Sequence, residues 1–278
     1  MAMNSNDLIL ICDLVRCRSG IDLDSAKEYL VEARLSSLAR KLGLASITDI
    51  VTKLKQRDIR IERDVVDAMT TNETSFFRDI TPFEALKKSI FPELIARRSM
   101  DKRLNIWCAA SSTGQEPYTI AMLLAENFPQ IKNWDLTFIA SDLSRDVLNR
   151  ARAGRFSQLE VNRGLPAMML VKYFKKQGIE WEISPDLRAM IDFREVNLLE
   201  EWPSMPPLDL VFIRNVLIYF NPKTKREILE RIRLRIHPDG FLFLGVAETT
   251  MNVDERFIRG QHERSGCYQI KCAAKAAA

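Results

Sequence analysis

No apolar run in the 278 residues approaches the ~18 needed to cross a bilayer, and Met1 to Asp7 lacks the basic and apolar stretches of a secretory signal. These absences predict a cytoplasmic protein with no direct membrane insertion. Five cysteines (Cys12, Cys17, Cys108, Cys267, Cys272) show no CxxC spacing, and two histidines, His237 and His262, complete no zinc ligand set. The thiols therefore read as reduced and structural, and no metal is expected. Internal repeats and low-complexity tracts are missing too. Charge is nearly balanced: 41 Lys and Arg against 37 Asp and Glu leave +4, too little for a dedicated nucleic-acid binder. Hydrophobic residues at 46% and charged residues at 28% match a folded globular chain, which excludes disorder, collagen-like repeats and coiled-coil rods.

What is present falls into two styles of patterning. Residues 1–70 contain no convincing strand, and Gly20 and Gly43 divide them into short segments of helical spacing, so they read as a small helical domain. Within 25–42, Val31, Leu35, Leu38 and Leu42 form an apolar stripe, while Lys27, Arg34 and Lys41, with Arg40 beside them, line a basic face. From Arg34 to Arg63 eight Lys or Arg stand against Asp49, Asp58 and Glu62, a surplus that a solvated helix face also explains.

From Leu104 onward strands alternate with helices, which predicts an α/β domain over 83–272 built on a Rossmann-like, doubly wound, mostly parallel sheet. Strands are expected over 104–109, 136–140, 208–213, 241–244 and 267–270, and helices over 116–127, 144–153 and 221–236, with a turn at Asp239-Gly240. Residues 155–195 are too long for a simple crossover and read as an inserted small β-subdomain, with a helix at 165–174 and strands at 179–183 and 192–196. Residues 273–278 read as a disordered tail.

The first strand runs into Ala109-Ala110-Ser111-Ser112-Thr113-Gly114, small residues that let a ligand approach the backbone, with a helix N-terminus behind them. The turn lacks both the three-glycine dinucleotide fingerprint and the Gly-Lys-Ser/Thr of a phosphate loop, which disfavours hydride and phosphoryl transfer. Asp142, just after the second strand, sits where a carboxylate accepts both ribose hydroxyls, although a helix cap would look the same. Glu116 opens a helix and suits an ammonium group or simply the helix dipole. Residues 71–82 join the two parts, and Phe76 and Phe77 among them suggest a lid over the site more than a bare linker. Arg214-Asn215 end the apolar strand 208–213 at its carboxyl edge, with Tyr219 within one turn.

The segments Thr71-Asn72-Glu73-Thr74-Ser75-Phe76-Phe77-Arg78, Ala110-Ser111-Ser112-Thr113-Gly114-Gln115-Glu116-Pro117-Tyr118, Ala140-Ser141-Asp142 and Phe212-Ile213-Arg214-Asn215-Val216-Leu217-Ile218-Tyr219-Phe220 together resemble the chemotaxis receptor methyltransferase (CheR) family. The resemblance implies a class I methyltransferase that uses S-adenosylmethionine, without metal, to esterify glutamates on the cytoplasmic helices of chemoreceptors. By the same resemblance, Asn72, Thr74, Arg78 and Glu116 hold the amino-acid portion of the cofactor and Asp142 its ribose. Asn197 and Leu198 flank the adenine, Arg214 and Asn215 complete the pocket, and Arg78 and Tyr219 orient the reacting groups. The basic face of Lys27, Arg34, Arg40 and Lys41 then meets the acidic receptor helices. Many members carry Gly-Cys-Ser where this chain has Ala110-Ser111-Ser112, a small-for-small change. Members that grip a receptor-tail peptide carry extra glycines in the subdomain loop, whereas residues 155–196 hold only Gly164 and Gly178, so no tail tether is expected. Nothing points beyond a monomer. A non-catalytic sensor of the same fold would bind cofactor without turnover, and the intact motif residues argue against it. Nucleic-acid methylation is disfavoured by the lack of an aromatic-interleaved basic groove or an Asn-Pro-Pro-Tyr sequence.

Overall fold

Alternation along Arg103–Ala109 (β1) sends Leu104, Ile106 and Cys108 into one apolar layer and Trp107 and Ala109 into the other. Strands buried on both faces in this way belong to the middle of a helix-covered sheet. The computed structural model describes residues 4–23, 28–260, 262 and 265–271; Lys27, Cys272 and the tail 273–278 lie outside the described residues.

The chain begins with four helices, α1 (Ser5–Ser19), α2 (Glu28–Lys41), α3 (Ile47–Lys55) and α4 (Ile59–Met69). Residues spaced four apart, Ile11 and Val15 on α1, Val31 and Leu35 on α2, Ile61 and Val65 on α4, face one another in a separate apolar core. Gly20 stops α1 in the left-handed conformation, and Asn4 and Asp58 cap α1 and α4.

A helical stretch, α5 (Thr81–Ala85), a π-turn over Leu86–Ile90 and α6 (Phe91–Arg97), leads into β1. The βα units follow as α7 (Gln115–Asn127), β2 (Asp135–Asp142) and α8 (Arg145–Ala153). The insertion then contributes β3 (Arg155–Ser157), α9 (Gln158–Asn162), α10 (Ala167–Tyr173), β4 (Phe174–Gln177), β5 (Glu180–Ile183) and α11 (Pro185–Ala189). The sheet resumes with β6 (Asp192–Glu195), β7 (Leu208–Ile213), α12 (Pro222–Arg233), β8 (Ile236–Phe243), β9 (Phe257–Arg259) and β10 (Cys267–Ile270). Spatial order is β6-β2-β1-β7-β8-β10-β9, with β10 antiparallel to both β8 and β9 and the other pairs parallel. This is the expected doubly wound sheet. The insertion carries its own antiparallel sheet, β3-β5-β4.

Three local readings change. The strand expected over 192–196 as part of the inserted subdomain is β6, which pairs with β2 at the edge of the main sheet. Residues 179–183 do not start as strand at Ile179, because Gly178-Ile179 form the hairpin turn, with Gly178 at φ +63°, and β5 opens at Glu180. The expected helix over 221–236 ends at Arg233, and Asp239-Gly240 lies inside β8 instead of in a turn between helix and strand. Pro238 disfavours helix at its predecessor, and the pairing with β7 jumps from Leu208↔Ile236 to Leu210↔Phe241. Arg98 fixes the resulting bulge, donating to Asp239 Oδ1 at 2.7 Å and Oδ2 at 3.0 Å and to Asp209 Oδ1 at 2.7 Å. These hydrogen bonds hold the Asp239 carboxyl below the usual carboxylate range.

The helical part meets the sheet domain where α4 approaches the start of α8. Lys41 pairs with Asp146 at 2.7 Å. Burial beside this junction raises the half-buried Asp67 carboxyl to about 6, opposed by a hydrogen bond from Ser144 and reinforced by Asp146 and Asp142. An aspartate whose folded pKa exceeds its unfolded value stabilises the fold below the unfolded pKa, and that contribution is lost as pH rises through about 6. Asp67→Asn should therefore raise stability above pH 7 by about 1 kcal/mol after allowing for solvent screening, with the gain fading towards pH ~4. Urea titrations of both proteins across that range check this; a gain that ignores pH, or a loss at pH 8, contradicts it.

Candidate functional site

Strand order reverses between β1 and β7, and the loops leaving the carboxyl ends of β1, β2, β6 and β7 enclose one cavity there. Asn72, Thr74, Arg78, Glu116, Asp142, Asn197, Leu198, Arg214, Asn215 and Tyr219 all line it. Three of its walls are built differently from what their residue types alone suggest.

The first wall is the turn after β1. Ala110 and Ser112 take left-handed conformations, φ +53° and +50°, and Gly114 sits at φ +96°, where a side chain would be strained, with Tyr118 and Ala151 3.1 Å from the place of a Cβ. Asp142 holds this turn against the next loop: Ser112 N donates to its Oδ2 at 2.9 Å and Ser144 N to its Oδ1 at 3.0 Å. Burial pushes the Asp142 carboxyl up, opposed by those backbone N–H groups.

The second wall centres on Arg214, a fully buried guanidinium. Nη1 donates to Glu116 Oε2, and Nη2 donates to Asp79 Oδ2 at 2.7 Å. Glu116 also accepts from the Cys108 thiol at 3.4 Å. Burial and the Glu116 charge push that thiol well up, so it stays protonated and donates. Arg214 thus binds α7 and the segment 71–80 to the end of β7.

The third wall is that segment itself. Phe76 is buried between Phe156 and Phe174 of the inserted subdomain, ring centroids 5.0 and 5.6 Å away, and Phe77 packs on Phe83. Arg163 of the subdomain pairs with Glu73 at 2.5 Å. Ser112 Oγ donates to the Asn72 carbonyl at 2.9 Å, and Arg78 Nη1 donates to the Glu73 carbonyl at 2.9 Å. Phe77, Asp79 and Ile80 have positive φ, a strained run that persists because Arg214 and the aromatic cluster hold both ends.

The helical domain roofs the cavity through Ser19 and Ile21, and Asp22 N donates to the Tyr219 carbonyl at 3.1 Å. Sequence reasoning missed these contacts. Gly20 signals a helix end, but not what that end covers. Asn197, read as an adenine neighbour, has its side chain engaged: Nδ2 donates to the Arg18 carbonyl at 2.8 Å and to Glu200 Oε1 at 3.0 Å, and Oδ1 accepts from Leu199 N. Arg34 is not a free member of a basic face. It donates to the Met69 and Thr70 carbonyls at 2.6 and 3.0 Å and to Thr71 Oγ1 at 3.1 Å, closing the end of α4 and the start of the lid. Thr70 and Thr71 line the cavity, so these bonds put α2 close to its mouth, and burial there lowers the Arg34 pKa. Arg40 is exposed and Lys41 is paired with Asp146. Glu248, absent from the sequence reading, is buried beside Asn215.

Two buried polar atoms of lining residues, Ser111 Oγ and Arg214 Nε, have no partner among the described residues. Groups of this kind cost ~1–3 kcal/mol unless something meets them, so the cavity fits a polar ligand with acceptors at those points. Asp142 and Glu116 each retain lone pairs for hydroxyl or ammonium donors. A polar nucleoside carrying an amino-acid chain, as S-adenosylmethionine does, matches this set. Among the described residues no group of three His, Cys, Asp or Glu side chains is arranged to hold a metal ion, and no helix is long and apolar enough to cross a membrane.

Residues 72–265 match the family description "CheR methyltransferase, SAM binding domain", and residues 6–70 match "CheR methyltransferase, all-alpha domain". Chemotaxis protein methyltransferase 1 of Pseudomonas aeruginosa is 42% identical over 257 residues, covering 91% of this chain and 93% of that protein. Chemotaxis protein methyltransferase Cher2 of Pseudomonas putida is 40% identical over 258 residues, covering 91% and 93%. Among solved structures, the glycopeptide N-methyltransferase MtfA complexed with sinefungin aligns with a TM-score of 0.36 at 14% identity, over 69% of this chain and 59% of that one.

Proposed function

The chain belongs to the CheR methyltransferase family and is an S-adenosylmethionine-dependent methyltransferase; we propose that its acceptors are glutamate carboxylates on the cytoplasmic helices of chemoreceptors, esterified for chemotactic adaptation. The observation that carries this reading is the convergence of eight motif residues, together with Asn197 and Leu198, on one cavity whose mouth adjoins α2.

When bound, the cofactor supplies an electrophilic methyl group on a sulfonium. The protein's own residues have to bind, orient and exclude water. A glutamate acceptor, pKa ~4.3, is ionised at neutral pH, so the site needs no general base. In-line placement of acceptor and donor supplies roughly 7–11 kcal/mol through proximity and orientation alone. Arg78, Asn72, Thr74 and Glu116 hold the amino-acid end of the cofactor, Asp142 the ribose, and Leu198 with the Asn197 backbone the adenine side. Arg214 and Asn215 would complete that pocket, and Tyr219 would lie near the reacting methyl, with Arg78 and Tyr219 orienting the incoming carboxylate or the cofactor.

Recognition runs through the helical domain in the cytoplasm. Lys41 and Arg40 present positive charge to an acidic helix. The Lys41–Asp146 pair is exposed, worth ~0–1 kcal/mol, weak enough for a receptor carboxylate to exchange into. The inserted subdomain acts as a buttress for the lid and not as a receptor-tail clasp, in keeping with its two-residue Gly178-Ile179 turn.

Incubation with methyl-labelled S-adenosylmethionine and chemoreceptor membranes should put base-labile label, released as methanol, in the receptor band. Tyr219→Phe should keep cofactor affinity while turnover falls by roughly tenfold or more. Label in stable linkages would overturn the glutamyl ester, and full activity of Tyr219→Phe would remove Tyr219 from the site.

A further inference from the structure

Glu248 belongs to none of the motifs above. It lies in the loop after β8, buried against the turn that carries Asn215 and Tyr219. Its Oε2 accepts Asn215 N at 2.7 Å and Gly245 N at 2.6 Å, and its Oε1 accepts Ile218 N at 3.3 Å. Within the turn it binds, Asn215 sits at φ +59°, in the left-handed region that asparagine adopts more readily than most residues. Gly245 is what allows the two loops to close: a Cβ there would stand 2.7 Å from Glu248 Oε2 and 2.9 Å from Asn215 N.

We propose that Glu248 is a positioning residue for methyl transfer, fixing the Asn215–Ile218 backbone and through it the Tyr219 ring against the cofactor cavity. The proposal rests on Tyr219 lying at the reacting methyl. Glu248 itself does not line the cavity, so it acts through the turn and not on the cofactor. An ionised carboxylate is acceptor-only, which suits three converging N–H donors. Glutamine keeps the shape but turns its own N–H groups towards at least one of them, so Glu248→Gln loosens the turn without emptying the space. Displacement of a positioning group by about 1 Å is enough to slow a reaction by about 100-fold. Most cofactor contacts are made by the other loops, so the loss falls on turnover.

The test compares full-length wild type, Glu248→Gln, Tyr219→Phe and the double variant on chemoreceptor membranes, with cofactor affinity measured by calorimetry. Glu248→Gln should lower kcat by about 10- to 100-fold while the Kd for S-adenosylmethionine changes less than about threefold. The double variant should be no more than about twofold slower than the slower single variant, since both act on one group. Wild-type kcat in Glu248→Gln, a loss carried wholly by cofactor Kd, or losses that multiply in the double variant would each overturn the proposal. Full activity in Tyr219→Phe alongside a slow Glu248→Gln would strike the placement of Tyr219 and leave Glu248's hold on the turn standing.

Discussion

Replacing Arg214 by methionine should lower the unfolding free energy by about 3 kcal/mol and abolish measurable cofactor binding. The Arg214 side chain is 1% exposed, and it faces Glu116, 12% exposed, and Asp79, 34% exposed. Without the guanidinium, Glu116 becomes a buried charge with only the Cys108 thiol for company, and such uncompensated charges cost ~3–5 kcal/mol. Asp79 reaches water and cushions the loss, which sets the lower end of that range. The melting temperature should drop by roughly 6–12 °C. The positive-φ run at Phe77, Asp79 and Ile80 then loses its anchor, so the lid that carries Asn72, Thr74 and Arg78 no longer presents them together. Adding Glu116→Gln should recover part of the stability and none of the binding, because the orphaned charge disappears while the lid stays unanchored. Arg214→Lys should fail as well, since one ammonium cannot span two carboxylates as a planar fork does. Calorimetric titration with a parallel thermal melt decides: Arg214→Met with an unchanged melting temperature and normal affinity contradicts the anchor role.

Asp142→Ala should weaken S-adenosylmethionine binding by at least about 100-fold, near 3 kcal/mol, through two losses that add. One is direct, the acceptor for ribose hydroxyls. The other is the frame: Ser112 N and Ser144 N lose their common carboxylate, and the left-handed Ser112 is freed to relax. Asp142→Asn separates the two. It still accepts one N–H, so the turn is partly kept, but its amide opposes the second donor, and binding should fall between wild type and alanine. Because burial raises the Asp142 pKa, the carboxylate begins to protonate at a higher pH than an ordinary aspartate. Affinity should accordingly decline on acidification from a higher pH than an ordinary aspartate would give, and the decline should vanish in Asp142→Ala. Equal affinities in wild type and alanine would remove Asp142 from the site.

Features decided by neighbours along the chain were legible from residue types. The helical character of 1–70 follows from apolar spacing and from Gly20, and the strand at 208–213 from its apolar residues, and all six of its positions are buried in the sheet. The end of α8 at Gly154 and the opening of α12 by Asn221 and Pro222 are written in their capping chemistry. Three of the motif segments carried cofactor residues because each includes the loop at one strand end, and the sheet's parallel order brings those ends to one edge, over which the segment 71–78 folds from the end of α4.

Other assignments depended on partners far away in the chain. Asp239-Gly240 looks like a turn until Arg98, 141 residues earlier, holds it as a bulge in β8. Arg34 belongs to a basic stripe by spacing, yet its guanidinium closes the end of α4, 35 residues on. Arg214 reads as a pocket residue at a strand end; that it neutralises Glu116 and Asp79, 98 and 135 residues away, emerges only when α7 and the lid pack around it. Glu248 carries no local signal, since a glutamate after a glycine in a loop is ordinary until three backbone N–H groups converge on it. The division has one physical cause. Backbone hydrogen bonding and side-chain spacing within a turn or two are local quantities and set the elements, whereas a buried charge is tolerable only beside its counter-charge, and which residues meet is settled by the packing of the whole sheet.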